Sequence, residues 1–177
     1  MNRIVIVCGL ISGIILAVFM VSVTAACYKN QDFESSMLLG YASMILAFSL
    51  IFVGIKNFRD KFNNGYITFG KAFTIGLYIT LIGSTMYVIA WVIDYYLFIP
   101  DFMDKYTAHV LREAKEAGAD PIEMNKKTAE MLNYKEMYKN PLLVLLFTYL
   151  EVIPIGLVVS VISSLILRTK SNRQIPV

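Results

Sequence analysis

The sequence predicts an all-α membrane protein, with four transmembrane helices and a helical hairpin inserted outside the membrane between helices 3 and 4. Three observations predict it. Hydrophobic residues make up 57% of the chain, above the roughly 45–50% typical of soluble domains. Mean hydropathy is correspondingly high, at +0.62. The apolar residues also fall in long uncharged runs: Arg3 to Lys29, Glu34 to Lys56 and Lys71 to Asp94 enclose no charge, and Asn140 to Leu167 holds only Glu151. Each run reaches the roughly 20 residues that a helix needs to cross about 30 Å of hydrocarbon. Barrel strands would be shorter and would alternate. Helices are expected near 4–27, 36–55, 72–93 and 142–167, so that 1–177 is a single four-span domain and 94–141 an extracytoplasmic helical insertion.

The first span opens on "MNR" and closes on "VTAAC", which has the look of a signal ending before Cys27. Signal cores are about 7–15 residues, shorter than this run. Thr24 stands three positions before the cysteine, where leucine is usual, so the segment is expected to remain as a span. Cys8 and Cys27 share that helix, separated by about 28 Å, too far for a disulfide. A single histidine and two distant cysteines do not supply the ligand sets of zinc, haem or iron–sulfur sites, so no cofactor or metal is expected.

Charge sets the expected orientation. Lys56, Arg59, Lys61 and Lys71 outweigh Asp60 in the 56–71 loop, and the tail carries Arg168, Lys170 and Arg173 without an acid. Arg3 flanks the start, Lys29 is outnumbered by Asp32 and Glu34 in the next loop, and 94–141 holds more acids than bases. Positive residues concentrate on the cytoplasmic side. Both termini and the 56–71 loop are therefore expected there. The net charge of +3 then reflects topology and contact with anionic lipid, and no nucleic-acid partner is expected. Phe58, Phe62, Tyr66 and Phe69 interleave with the loop's basic residues in a pattern that could stack on single strands. A loop lying in the headgroup region explains the same pattern with less assumption, and "NNG" at 63–65 marks a turn within it.

In the insertion, Trp91, Tyr95, Tyr96 and Phe98 suit an interfacial aromatic belt. Pro100 or Asp101 can open a first helix, whose apolar face is Met103, Tyr106, Val110, Ala114 and Ala117, and Gly118 can end it. Asp120, Pro121 and Glu123 form a box-like start for a second helix reaching about Tyr138, and Asn140–Pro141 caps the last span. His109 is expected to be an exposed helix residue rather than a pH sensor or ligand, because no second ligand accompanies it.

Glu151 is the candidate intramembrane polar site, with Pro154, Ser84 and Thr85. It lies roughly 15 Å of helix after Pro141 and roughly 25 Å before Arg168, in the outer half of the bilayer. A carboxylate at that depth should face protein or water. Pro154 frees the Leu150 carbonyl and is expected to kink the helix, leaving a polar notch. Tyr41, Ser43, Ser84, Thr85 and Tyr87 are the expected neighbours at similar depth. No lysine or arginine lies within the spans, so the acid is expected to be protonated or partly hydrated.

Small residues recur four apart: Gly9, Gly13 and Ala17; Ala72, Gly76, Thr80 and Ser84; Gly156, Ser160 and Ser164. They let helices approach closely in lipid, and packing within one chain is the favoured reading over a dimer face. On an ideal helix Gly156, Ser160 and Ser164 point away from Glu151. Either Pro154 rotates the lower half, or the ridge faces a second subunit.

"LGYASMILAFSLIFVGIKNFRD", "ITFGKAFTIGLYITLIGSTMYVIAWVI", "PDFMDKYTAHVLREAKEAGAD" and "FTYLEVIPIGLVVSVISSLILR" resemble, in the same order, the blocks of a bacterial inner-membrane family, domain of unknown function 4199. The resemblance implies four spans with a helical extracytoplasmic insertion and a retained first span. It implies no activity and transfers no site residue.

The spans contain no histidine, no serine–base pair and no paired carboxylates, so an enzyme is not expected. The expected role is structural or interactive: four helices in the lipid bilayer display the hairpin and basic surfaces to a membrane-protein partner or a second copy. The alternative is a small transporter or proton-coupled carrier using Glu151. Its shallow depth and the lack of paired broken helices or inverted repeats weigh against that alternative.

Overall fold

The computed structural model describes residues 2–30 and 33–169, with side chains from Arg3 to Tyr28 and from Leu38 to Thr169. The charges expected on Lys29, Asp32, Glu34, Lys170 and Arg173 lie outside the described side chains. Six helices follow one another: α1 (Asn2–Asn30), α2 (Phe33–Phe62), α3 (Phe69–Leu97), α4 (Phe102–Glu116), α5 (Pro121–Met137) and α6 (Pro141–Leu167). No strand occurs among the described residues. Four stretches are long and apolar enough to cross a membrane: Arg3–Tyr28, Leu38–Phe62, Phe69–Leu97 and Pro141–Leu167. Ile6, Val18, Leu46, Ile89, Leu150 and Val158 project from them and are exposed, as lipid-facing side chains should be.

The long helices touch around a ring, α1–α2–α6–α3 and back to α1, with α2 and α3 also meeting across it. Gly9 faces Ile82 and Gly13 faces Met86, so α1 and α3 run parallel. Gly76 faces Ser160 and Gly156 faces Thr80, so α3 and α6 run antiparallel. At the end nearest the α2–α3 turn the ring is tightly filled by Phe48, Ile51, Ile55, Ile75 and Ile79, all fully buried. Ser12 donates to the Ala47 carbonyl at 3.0 Å, tying α1 to α2.

The 56–71 segment differs from the loop expected of it. α2 continues as helix to Phe62, with Phe58 buried and Lys56 and Lys61 exposed. The Lys71 ammonium lies 5.2 Å from the Phe58 ring centre. The connection shrinks to the "NNG" turn and its exit, where Asn64 and Gly65 take positive φ. Thr68 caps α3. Ile67 is buried and pairs with Thr169 through backbone and hydroxyl bonds of 2.9 and 2.8 Å, which pin the turn to the end of α6.

Local capping behaves as the sequence implies. Asp120 accepts from Glu123 N at 2.7 Å, Gly118 ends α4 at φ 82°, and Asn140 accepts from Leu142 N at 3.0 Å. α4 and α5 pack on each other, with an ion pair between Asp104 and Lys135. Of the four aromatic residues expected in an interfacial belt, Tyr96 and Phe98 are exposed, whereas Trp91 and Tyr95 turn inward. Trp91 and Tyr95 meet Phe102 edge-on, and Tyr95 meets Tyr138, which in turn stacks on Phe147. This aromatic cluster seats α4 and α5 on the bundle instead of facing lipid.

Candidate functional site

Towards the ends where α3 finishes and α6 begins, the four long helices enclose a cavity of about 700 Å³. Met20, Met44, Tyr87 and Glu151 are the lining residues nearest the packed half, and they form its floor. Tyr106, His109 and Glu113 from α4 and Met131 and Tyr134 from α5 line its other side. The cavity therefore lies between the bundle and the α4–α5 pair. Gly40 borders it, and a Cβ added there would meet nothing within 4 Å.

Glu151 opens onto this space from α6, and its carboxylate makes no hydrogen bond or ion pair among the described residues. Of its expected neighbours, Tyr41, Ser43 and Tyr87 line the same cavity. Ser84 and Thr85 do not. Ser84 is buried with no hydrogen-bond partner among the described residues, and Thr85 accepts from Tyr149 at 2.9 Å at the exposed α3–α6 seam. Pro154 is exposed and does not line the cavity. α6 passes through it without interruption, so the lost N–H does not break the helix there.

The ridge of α6 lies inside the chain. Ser160 is fully buried and lies 3.2 Å from Thr80, oxygen to oxygen, so this part of the ridge is covered by α3 of the same chain. The apparent conflict with Glu151 disappears because the buried positions Val144, Thr148, Val152, Gly156, Ser160 and Ser164 recur every fourth residue. Such a row drifts round the helix, as ridges do when helices cross at an angle. Glu151 borders the upper part of that row and the glycine–serine ridge forms the lower part.

His109 is buried, in contrast to its expected exposure. α4 is covered on two sides, by α5 and by the bundle, so more of its circumference is shielded than one apolar stripe suggests. Arg112 Nη2 lies 3.2 Å from His109 Nδ1, and Nε2 lies 3.0 Å from a Glu113 oxygen. A guanidinium can only donate and a carboxylate only accept, so the ring links Arg112 on one side to Glu113 on the other. Burial pushes the Tyr106 phenol above its usual range, with the Glu113 charge adding to it. Burial, then the negative charge of Glu151, pushes Tyr138 up to about 12.

A clamp holds α4 against α1 beside the cavity. The Tyr28 hydroxyl donates to Asp101, and Lys105 reaches Asp101 at 3.3 Å while its ammonium lies 3.3 Å from the Tyr28 ring centre. The Tyr28 hydrogen bond, with help from Lys105, holds the Asp101 carboxyl below the usual carboxylate range.

Four long apolar helices beside a largely apolar cavity with a few polar side chains define a helical membrane protein. A family model described as a protein of unknown function, DUF4199, matches residues 8–169, and the chain belongs to that family. No curated protein and no solved structure matches it.

Proposed function

We propose that this is a multi-pass protein of the bacterial inner membrane that acts by binding and interaction rather than by catalysis. Its termini face the cytoplasm and α4–α5 lies outside, following the basic residues at the α2–α3 turn and at Arg168. The observation that carries the reading is the cavity between the bundle and α4–α5, with an unpaired carboxylate at its floor. A small molecule entering from the outer side would touch both the spans and the α4–α5 pair. It would thereby control the face that α5 offers to a membrane-protein partner, where Ile122 and Leu132 are exposed. Native mass spectrometry from lipid nanodiscs tests this. Wild type should retain a small molecule that Gly40→Phe loses; identical spectra without bound ligand would contradict it.

A carrier using Glu151 is the second reading, favoured by the position of that acid at the cavity floor. It requires the packed half, held by Gly76, Thr80, Gly156 and Ser160, to open in turn. Solute flux in liposomes that is unchanged by Glu151→Gln removes the carboxylate from any such cycle.

A further inference from the structure

The geometry points to an organic cation, an amine or a quaternary ammonium group, as the ligand of this cavity, with Glu151 as its counter-charge. The inference rests on the binding reading above and narrows it to one chemical class.

Charge is the first argument. Among the described residues the lining includes the carboxylates of Glu113 and Glu151 and no lysine or arginine, the nearest guanidinium being Arg112 behind His109. Glu113 already pairs with His109, which also meets Arg112, so the Glu113 carboxylate has its partners on the α4 side of the cavity. Glu151 is left without a partner among the described residues. A carboxylate within a membrane span is costly until water, protonation or a counter-charge compensates it, and Glu151, although exposed to the cavity, has no counter-charge among the described residues. A cationic ligand supplies that counter-charge, whereas an anionic one would place a second negative charge beside Glu151.

The walls are the second argument. Tyr41, Tyr87, Trp91, Tyr106 and Tyr138 all line the cavity. Aromatic rings attract cations through their negative faces and tolerate the apolar shell of an alkylated nitrogen. Size is the third. A space of about 700 Å³ suits a small organic molecule, and no group of three or more metal-ligating side chains exists among the described residues to hold a bare metal ion. The cation could be free in solution or could be the amine headgroup of a lipid whose chains lie beside the bundle.

Trp91 is the only tryptophan in the sequence and it lines the cavity, so its fluorescence reports occupancy. The full chain in phosphatidylglycerol nanodiscs is titrated with choline and with its neutral carbon isostere, 3,3-dimethylbutan-1-ol. Choline should shift the Trp91 emission saturably. The alcohol, and choline on Glu151→Gln, should bind about tenfold or more weakly, the scale of losing a charge-assisted contact. Glu151→Asp should retain the preference for the cation, which separates a charge effect from misfolding. If the headgroup is the source, discs containing phosphatidylethanolamine should show the shifted emission before choline is added, again dependent on Glu151. Equal affinity for choline and the alcohol, indifference to Glu151→Gln, or no shift with either choline or phosphatidylethanolamine would overturn the proposal. Alcohol binding that Gly40→Phe abolishes would leave the binding reading standing and remove only the cation. No binding of any probe, with Gly40→Phe indistinguishable from wild type, would remove both.

Discussion

Gly156 faces Thr80 so closely that a Cβ built on the glycine would lie 2.8 Å from Thr80 Oγ1 and 3.0 Å from Thr80 Cβ. Thr80 is fully buried, β-branched and beside Ser160, so it has no room to retreat. This contact explains why one half of the bundle is closed while the other holds a cavity. Gly156→Ala should destabilise the protein by about 1–3 kcal/mol, the cost of overpacking a filled core. Gly40→Ala, whose Cβ meets open space, should instead be neutral or stabilise by up to about 1 kcal/mol through helix propensity. Thermal unfolding in one detergent compares the two, and equal shifts would contradict the packing described. Thr80→Ser combined with Gly156→Ala should cost less than the sum of the single changes.

Tyr138 should stay a neutral phenol in the folded protein up to about pH 12, against about 10 for an unfolded tyrosine. The raised value favours the protonated form in the folded state. Its contribution to stability is therefore complete below about pH 10 and is lost as pH climbs from there towards 12. Absorbance titration of wild type minus Tyr138→Phe should isolate this late component. Glu151→Gln should move it to lower pH, since the charge of Glu151 is one of its causes.

The clamp at Tyr28 should govern α4 without affecting the bundle. Tyr28→Phe removes the hydroxyl that reaches Asp101, so amide exchange across Phe102–Glu116 should quicken while Phe69–Leu97 is unchanged. Asp101 is held below its ordinary range, so its contribution is complete above the unfolded value near pH 3.9 and is lost as pH falls through the lower folded one. Protection of α4 in wild type should hold from pH 7 to 4 and fail only below that.

Orientation can be read with cysteines in a Cys8→Ser, Cys27→Ser background. Lys61 and Ala117 are both exposed, at opposite ends of the bundle. Lys61→Cys should react with an impermeant thiol reagent only from the cytoplasmic face, and Ala117→Cys only from the outer face. The reverse pattern would invert the topology.

The helices were legible because each announces itself locally, through an uncharged run, a capping Asp120 or Asn140, or a terminating Gly118. The glycine and serine rows likewise carried their packing role in their spacing. The cavity was only partly legible. Glu151 stood out as a lone charge, and Tyr41, Ser43 and Tyr87 could be matched to it by depth. Ser84 and Thr85 share that depth but point elsewhere, and depth alone carries no azimuth. Glu113 and Tyr134 gave no signal, because they look like ordinary members of a mixed-charge helix. His109 was misjudged for a related reason: its burial comes from two separate elements covering α4, and no periodicity within α4 encodes that. Lys56, Arg59 and Lys61 suggested a loop, yet charges at a helix end can sit on the exposed side while Phe58 stays in the core.

The central claim is that Glu151 sits in a water-accessible cavity entered from the α4–α5 side. Glu151→Cys in the cysteine-free background, treated with a cationic, membrane-impermeant thiosulfonate, tests it most directly. The thiol should be modified from the α4–α5 side only, and Gly40→Phe should block the reaction while leaving Ala117→Cys reactive. A Glu151→Cys thiol that resists the reagent under conditions that modify Ala117→Cys, or that reacts equally with and without Gly40→Phe, would contradict the account.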